Sequence, residues 1–580
     1  MRSSFFGLNV AQQGLYTSRT MLDITNHNIS NAETEGYTRQ YGVQKATRPL
    51  PNAQRGMVGT GTTIEQISQH RNEYLDHKYW NMNKDYGTYD VKATMLKQME
   101  LIFNEPSDVG FTSSFNGMFE ALQSLSKDPS DEANRVNFLA SAESYAQYMT
   151  DLGEQLRETQ NDANFGVKNS VNQINSFAEQ ISTLNQQIRN LELNGNRAND
   201  LRDQRMVLVD DLSKVVGIKY QVVEDNFGME TVNITINRQQ LVSGNAFNTL
   251  KLTTRENPQN PEDNPDLYDI EWNSGKKLKT NDLTGELKGY IDIRDGNNGN
   301  NFSGTVQSVA GPSLTIEGIN RFDIPSSGEL IIDNVTYDYK YDPTSYIEGI
   351  PPATDTVKLE ILSPTFTGTS GDEVSIGQTN TFKGVPYYMQ QLNTFVRTFA
   401  SEFNALQKQG DGGTGDPMFT YEGYDPTATV DPSIPLVESQ MSTYKMMTVD
   451  NLIVNPNMIE DVSLLSTKAD ASHGQSANDI ILAMIDKRHD TEMFSKGVPD
   501  NYMQSIISEL AIDVSQMSSF RDGQEQLTKM ITNQRLSISD VDLEEETVNL
   551  LKYQQAYSMS AKILSVFDEI YNVTINQMGV

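Results

Sequence analysis

The sequence has no cysteine, two tryptophans and five histidines. Without cysteine there is no thiol nucleophile, no thiolate metal ligand and no disulfide. A cysteine-free chain suits either redox compartment, and it suits a protein that travels unfolded. Histidine is too sparse for a metal motif: Asp76-His77 and His489-Asp490 lack ligand spacing, and His77 with Glu73 reads as a surface pair on a helix. Cations are also short, 45 Lys and Arg against 77 Asp and Glu, for a net charge of −32. That balance disfavours nucleic acid and anionic lipid as partners. No run approaches the roughly 18 apolar residues of a membrane span. The segment Met1–Leu8 lacks the apolar run and cleavage site of a secretory signal, so export is expected to use another route.

What the chain does have is length and periodicity. At 580 residues and 37% hydrophobic it can hold several packed cores. Leu8, Leu15, Leu22 and Ile29 recur every seven residues, with the small residues Ala11, Ser18 and Thr25 three positions after the first three of them. On a helix this is one narrow stripe whose small row permits close approach of neighbours. At the other end Leu543, Leu550, Tyr557, Leu564, Tyr571 and Met578 repeat at seven, with Tyr553 and Phe567 between them. A second stripe, Met559, Ile563, Val566, Ile570 and Val573, runs beside that seam, so one neighbour cannot cover the helix. Ser539 or Asp540 is the expected cap, followed by acidic residues that suit a helix start. The ends are expected to lack partners within one copy and to order in an assembly, with the ten seam residues as its interface.

Directly after the first helix stands Asn28-Ile29-Ser30-Asn31-Ala32-Glu33-Thr34-Glu35-Gly36-Tyr37-Thr38-Arg39-Gln40. It resembles the signature of flagellar rod and hook axial proteins, with Asn28, Asn31, Thr34, Gly36, Tyr37 and Arg39 at the motif positions and Ser30 in place of the usual Ala. The run Ser537–Glu546, continuing through Leu550–Tyr557, is similar to that family's signature at the opposite end. Gly36-Tyr37-Thr38-Arg39-Gln40, Arg71–Asp76 and Ala198–Arg205 resemble the hook-associated junction branch. The resemblance implies a structural subunit without enzymatic activity or cofactor, joining hook to filament in the extracellular flagellum. It further implies type III export without a cleaved signal. The implied partners are copies of the chain, the hook protein, a second junction protein and an export chaperone. A hook or rod subunit is the alternative within the family; an enzyme or glycan-binding module in the outer insertion is the alternative outside it.

The expected fold is an elongated α+β multidomain protein with long terminal helices, a helical-hairpin core and inserted β domains. The divisions read as 1–60, axial helix and extension; 61–217, helical core; 218–296, β-rich; and 297–382, an inserted outer β domain. A return helix at 383–415, a mixed outer segment at 416–500, a core helix at 501–536 and the C-terminal axial helix at 537–580 complete it. Ile174, Phe177, Ile181, Leu184, Ile188 and Leu191 predict a long helix, broken at 194–196, with a return through Leu201, Leu208, Leu212 and Val215. Val232, Ile234 and Ile236 alternate as a half-buried strand. Two motifs look chemical but read otherwise. Gly410–Gly415 has phosphate-loop spacing but follows a helix and precedes Asp416-Pro417. Glu262–Asp266 is acidic but lacks the ligand order of a calcium loop.

Overall fold

The computed structural model describes residues 6–577 except 53–55, 104–109, 194, 196, 225–229, 319–323, 334, 342–344, 346, 348–355, 367, 414, 425–443, 445 and 471. Helix α1 (Phe6–Ser30) leads into a two-stranded arm in which β1 (Gln40–Ala46) pairs antiparallel with β4 (Thr62–Gln69). A small hairpin, β2 (Leu50–Asn52) with β3 (Gly56–Val58), lies between them. The expected boundary at 60/61 therefore cuts a hairpin, because Thr62 is the partner of Ala46.

The helical body follows: α2 (Glu73–Phe103), α3 (Phe111–Lys127), α4 (Glu132–Glu192) and α5 (Asn199–Val215). Asp131 caps α4 by accepting from the Ala133 amide, and the helix runs 61 residues, about 90 Å at ~1.5 Å per residue. Ile174, Ile181 and Ile188 of its seam are buried, whereas Leu191 lies beyond the packed stretch at 55% exposure. Gly195, at φ +81°, sits in the turn to α5.

A four-stranded antiparallel sheet comes next, β5 (Lys219–Glu224), β6 (Glu230–Ile236), β7 (Gln239–Ser243) and β8 (Ala246–Phe247). The ribbon of β9 (Leu250–Thr254) and β10 (Tyr268–Trp272) and the helix α6 (Glu286–Asp295) complete this region. Val232, Ile234 and Ile236 point into one core shared with α5 and the second half of α4. Within the acidic stretch at 262–266, Glu262 and Asn264 are buried, and the buried carboxylate of Asp263 accepts from Arg255 and from the amides of Gln259 and Asn260.

The strands β11 (Phe302–Ala310), β12 (Ser313–Glu317), β13 (Ser327–Ile332), β14 (Val335–Tyr341), β15 (Thr356–Ser363) and β16 (Glu373–Ile376) close into a barrel of order 11-12-15-14-13-16. Its core, which includes Leu314, Ile316, Leu330, Tyr339 and Leu359, is separate from the other two. Chain entry and exit meet at a narrow neck, where the Gly384 amide donates to Gly296 O at 3.0 Å.

Helix α7 (Val385–Gly413) returns to the body, followed by β17 (Phe419–Tyr421), β18 (Leu452–Val454), α8 (Pro456–Glu460) and α9 (Asp479–Asp486). The glycine run at 410–415 closes α7: Gly412 and Gly413 take positive φ, and the Gly412 amide donates to Ala469 O. The described residues of 416–500, expected as a mixed outer segment, do not form one. Phe419, Val449, Leu452, Met458, Ile481 and Phe494 are buried in the same core as α3 and α7, around stacked Phe111, Phe115, Phe395 and Phe399. The elements β17, β18, α8 and α9 span only three to eight residues, so the periods of Leu452 and Val454 and of Ile480, Ile481 and Met484 are too short to stand out in the sequence. The chain ends with α10 (Pro499–Ser539) and α11 (Leu543–Asn572), the latter finishing in a π-turn at Val573–Gln577.

Because the barrel has its own core and its ends touch at the neck, replacing 301–377 by a short Gly/Ser linker is expected to leave the helical body intact. Loop closure changes by only about 0.6 kcal/mol per doubling of length, so urea unfolding of the remainder should move by about 1 kcal/mol or less. A lost or broadened transition in the deletion variant would show that the barrel supports the body.

Candidate functional site: a polar junction where the chain ends meet

The two end helices pair antiparallel with each other. A Cβ on Gly7 would lie 2.4 Å from the Phe567 ring, and one on Gly14 would lie 3.2 Å from Ser560 Oγ. Asn28 lies beside Glu546. The close-contact row is the small one, in which Ala11, Ser18 and Thr25 are buried. The other side of α1 rests on the arm, where Met21 and Ile24 meet Gly42.

Leu8, Leu15, Leu22 and Ile29 flank this contact half-buried, as do Leu550, Leu564 and Tyr571 on α11. Leu543 and Tyr557 are exposed, and Met578 lies outside the described residues. The expectation that the ends lack partners within one copy is thereby corrected: each is the partner of the other. Periodicity shows that a stripe must be covered, but not which segment five hundred residues away covers it. The second stripe is the open one, with Met559 67%, Ile563 50%, Val566 54%, Ile570 49% and Val573 39% exposed.

Where the pair meets the body, the signature residues form one hydrogen-bonded cluster. Asn28, 1% exposed, donates to Gln40 O at 2.9 Å and to Glu546 Oε2 at 3.2 Å. Its Oδ1 accepts from the Gln40 amide at 3.0 Å and the Tyr37 hydroxyl at 2.7 Å. Arg39 reaches Glu545 and Glu546 at 2.7–2.9 Å, and its amide donates to Ser539 O. The two motifs from opposite ends of the chain therefore bind each other directly.

The other two motifs join them. Asp203 accepts from the Thr38 amide and hydroxyl at 3.0 and 2.7 Å, and Gln40 donates to Asp200. Arg71 pairs with Asp76, which Arg535 also holds; Arg535 reaches Asp210 as well, the acceptor of the Trp80 indole. The cap of α11 is Asp542, accepting from the Glu544 and Glu545 amides, because α10 continues through Ser539 and leaves Asp540 as its C-cap. Asn31 ties back to His27 O and accepts from Thr34. Gly36 has two reasons to be glycine: φ is +75°, and a Cβ would stand 2.2 Å from Val207.

Burial sets the charge states. It raises the Asp203 carboxyl to about 6 despite the Thr38 donors and Arg71. It also lifts the Tyr37 phenol well above its usual range, with Asp200, Asp203 and Glu546 adding to the effect, so Tyr37 stays a neutral donor. The Arg39 hydrogen bond holds Glu545 below the usual carboxylate range. These groups are occupied with one another: the arrangement clasps chain segments. The sequence missed Asp203, Asp210, Arg535 and Glu546 as members; Asp203 and Glu546 were legible as charged residues inside quoted motifs, whereas Asp210 and Arg535 lie just outside them.

A subunit whose two end helices pair, and whose signature residues lock that pair to a helical body, has the build of an axial polymer protein. The profile described as "Flagellar hook-associated protein FlgK helical domain" matches residues 96–310, and that described as "Flagellar basal body rod FlgEFG protein C-terminal" matches 532–578. "Flagellar hook-associated protein 1" of Bacillus subtilis is 25% identical over 593 residues, covering 100% of this chain and 99% of the relative. The Salmonella typhimurium protein of the same name is 23% identical over 582 residues, covering 98% and 99%. The solved flagellar hook junction protein FlgK from Burkholderia pseudomallei matches at TM-score 0.45 and 17% identity, over 80% of this chain and 100% of that one. Over its full length the chain is thus similar to the flagellar hook-associated proteins.

Two outcomes are expected at the junction. Asn28→Ala leaves the Gln40 amide and the Tyr37 hydroxyl without their acceptor, at about 1–3 kcal/mol for each buried group stranded. Hydrogen exchange should rise in α1 and α11 while α4 stays protected. The second concerns pH. The folded chain holds the Asp203 proton more tightly than the unfolded chain, so this group's contribution to stability falls as pH rises from about 4 to about 6. The urea midpoint of the native chain, measured against Asp203→Asn, should decline across that window; a difference independent of pH would contradict the assignment.

Proposed function

We propose that this chain is a structural subunit joining hook to filament, which assembles head-to-tail through its paired end helices. The observation that carries this reading is the exposed row Met559, Ile563, Val566, Ile570 and Val573, spaced 4-3-4-3 on a helix whose opposite face α1 already occupies. Each large aliphatic side chain is worth roughly 1.5–3 kcal/mol when fully buried, and a lattice in which patch and counter-patch lie on different copies can bury them. Leu543 and Tyr557 extend this surface. Leu8, Leu15, Leu22, Ile29, Leu550, Leu564 and Tyr571 serve it from the edges of the pair, and Met578 belongs to the same seam by spacing.

The role is structural and uses no cofactor. The family resemblance supports hook protein, a second junction protein and an export chaperone as partners, and type III export to the extracellular flagellum without a cleaved signal. Among the described residues, no helix is long and apolar enough to cross a membrane.

The test is the double substitution Met559→Asp/Ile563→Asp. Both side chains are exposed in one copy, so the melting temperature should hold, surface changes costing within about ±0.5 kcal/mol. In the polymer the carboxylates would be buried without partners, so hook and filament should fail to join while the exported protein, assayed separately, stays at normal levels. Leu564→Asp faces α1 and should instead loosen the helix pair. Normal filaments on the double variant would remove the basis of this reading.

A further inference from the structure

Helix α10 carries a second seam that, among the described residues, is open except at Phe520, whose ring lies 5.3 Å from that of Tyr89 on α2. Phe520, Gly523, Leu527, Met530, Gln534 and Ile538 follow one another at intervals of 3, 4, 3, 4 and 4, and all are exposed. Phe520 is 44% exposed, Leu527 43%, Met530 46% and Ile538 41%. Eighteen residues of helix separate the ends of this row, about 27 Å at ~1.5 Å per residue. The nearby charges stand off it and pair among themselves, Arg521 with Asp522 and Lys529 with Glu525. The face is thus apolar or neutral throughout, on a chain of net charge −32.

We infer that this neutral face of α10 is a lateral contact with a second copy of the chain, distinct from the α11 stripe. Two observations favour a copy over another occupant. Copies that each carry −32 repel, so they can approach closely only where both surfaces lack charge, and this face meets that condition along its whole length. The face also leads, across the short link at Asp540–Asp542, into the helix bearing the exposed row proposed above as the assembly surface. The 4-3 spacing is that of helix-on-helix packing, and Gly523 in its middle admits a neighbouring side chain. The inference rests on the assembly reading and extends it from the end helices to the helical body.

The test uses the full chain in intact flagella, with a photo-crosslinking residue at Leu527 and, in a separate strain, at Met559. A crosslinked dimer of this chain from both positions is the expected result. A dimer from Met559 but none from Leu527 overturns the α10 contact and leaves the assembly reading standing, whereas no dimer from either position sinks both. Capture of a different protein at Leu527 also overturns the inference. As a second measurement, Leu527→Glu/Met530→Glu should keep the melting temperature of the purified chain while reducing joined filaments at least about ten-fold, the size of a 1.4 kcal/mol penalty. Joining at the native level would count against the contact.

Discussion

Everything at the axial end of the molecule hangs on one buried side chain, Asn28. Its amide and carbonyl are both used twice, binding the Gln40 backbone in both directions, the Tyr37 hydroxyl and the Glu546 carboxylate. Glu546 in turn holds Arg39, and Arg39 holds Glu545 and the end of α10. A buried polar cluster of this kind tolerates little loss, since every stranded group carries its full desolvation cost. The cluster fixes where α1 leaves the body, and hence the line along which α11 can lie against it.

The family signature is therefore an intramolecular device. Gly36 stands against Val207 of α5, Tyr37 donates to Asn28 of α1 and Arg39 holds Glu545 and Glu546 of α11, while the apolar residues Leu527 and Met530 on α10 and the row from Met559 to Val573 on α11 stand exposed. Specific polar chemistry sets the angle of the helix pair, and the exposed rows offer non-directional apolar surface, which the proposed assembly would bury. That division suits a subunit required to hold its own shape while meeting several neighbours.

Much of the fold was readable from periodicity. The three- and four-residue steps through Ile174, Ile181 and Ile188, and the alternation Val232, Ile234, Ile236, mark burial patterns that a regular element cannot avoid. Other features had no such trace. Val449 and Phe494 reach the body core from irregular segments, and Phe419 from a three-residue strand too short to show a period. The pairing of Leu550 and Leu564 with α1 depends on contacts across more than five hundred residues. In the junction, the motifs were visible as strings, but which carboxylate meets which guanidinium is fixed only when four distant segments close on one another. The row on α10 was legible in principle; its Gln and Gly members break an apolar-only pattern.

Antiparallel pairing of α1 with α11 has a consequence for timing. The acceptors and rings that order residues 7–40 belong to Glu545, Glu546, Ser560 and Phe567, near the other end of a 580-residue chain. In any process that delivers the chain from its N-terminus, α1 emerges first and waits for its partner until almost all the rest has arrived. The body can fold in the interval, since its three cores draw on residues 80–514. Closure of the ends is then the final event, so an axial surface forms only on a chain delivered in full, and a broken or stalled chain has no finished end to offer.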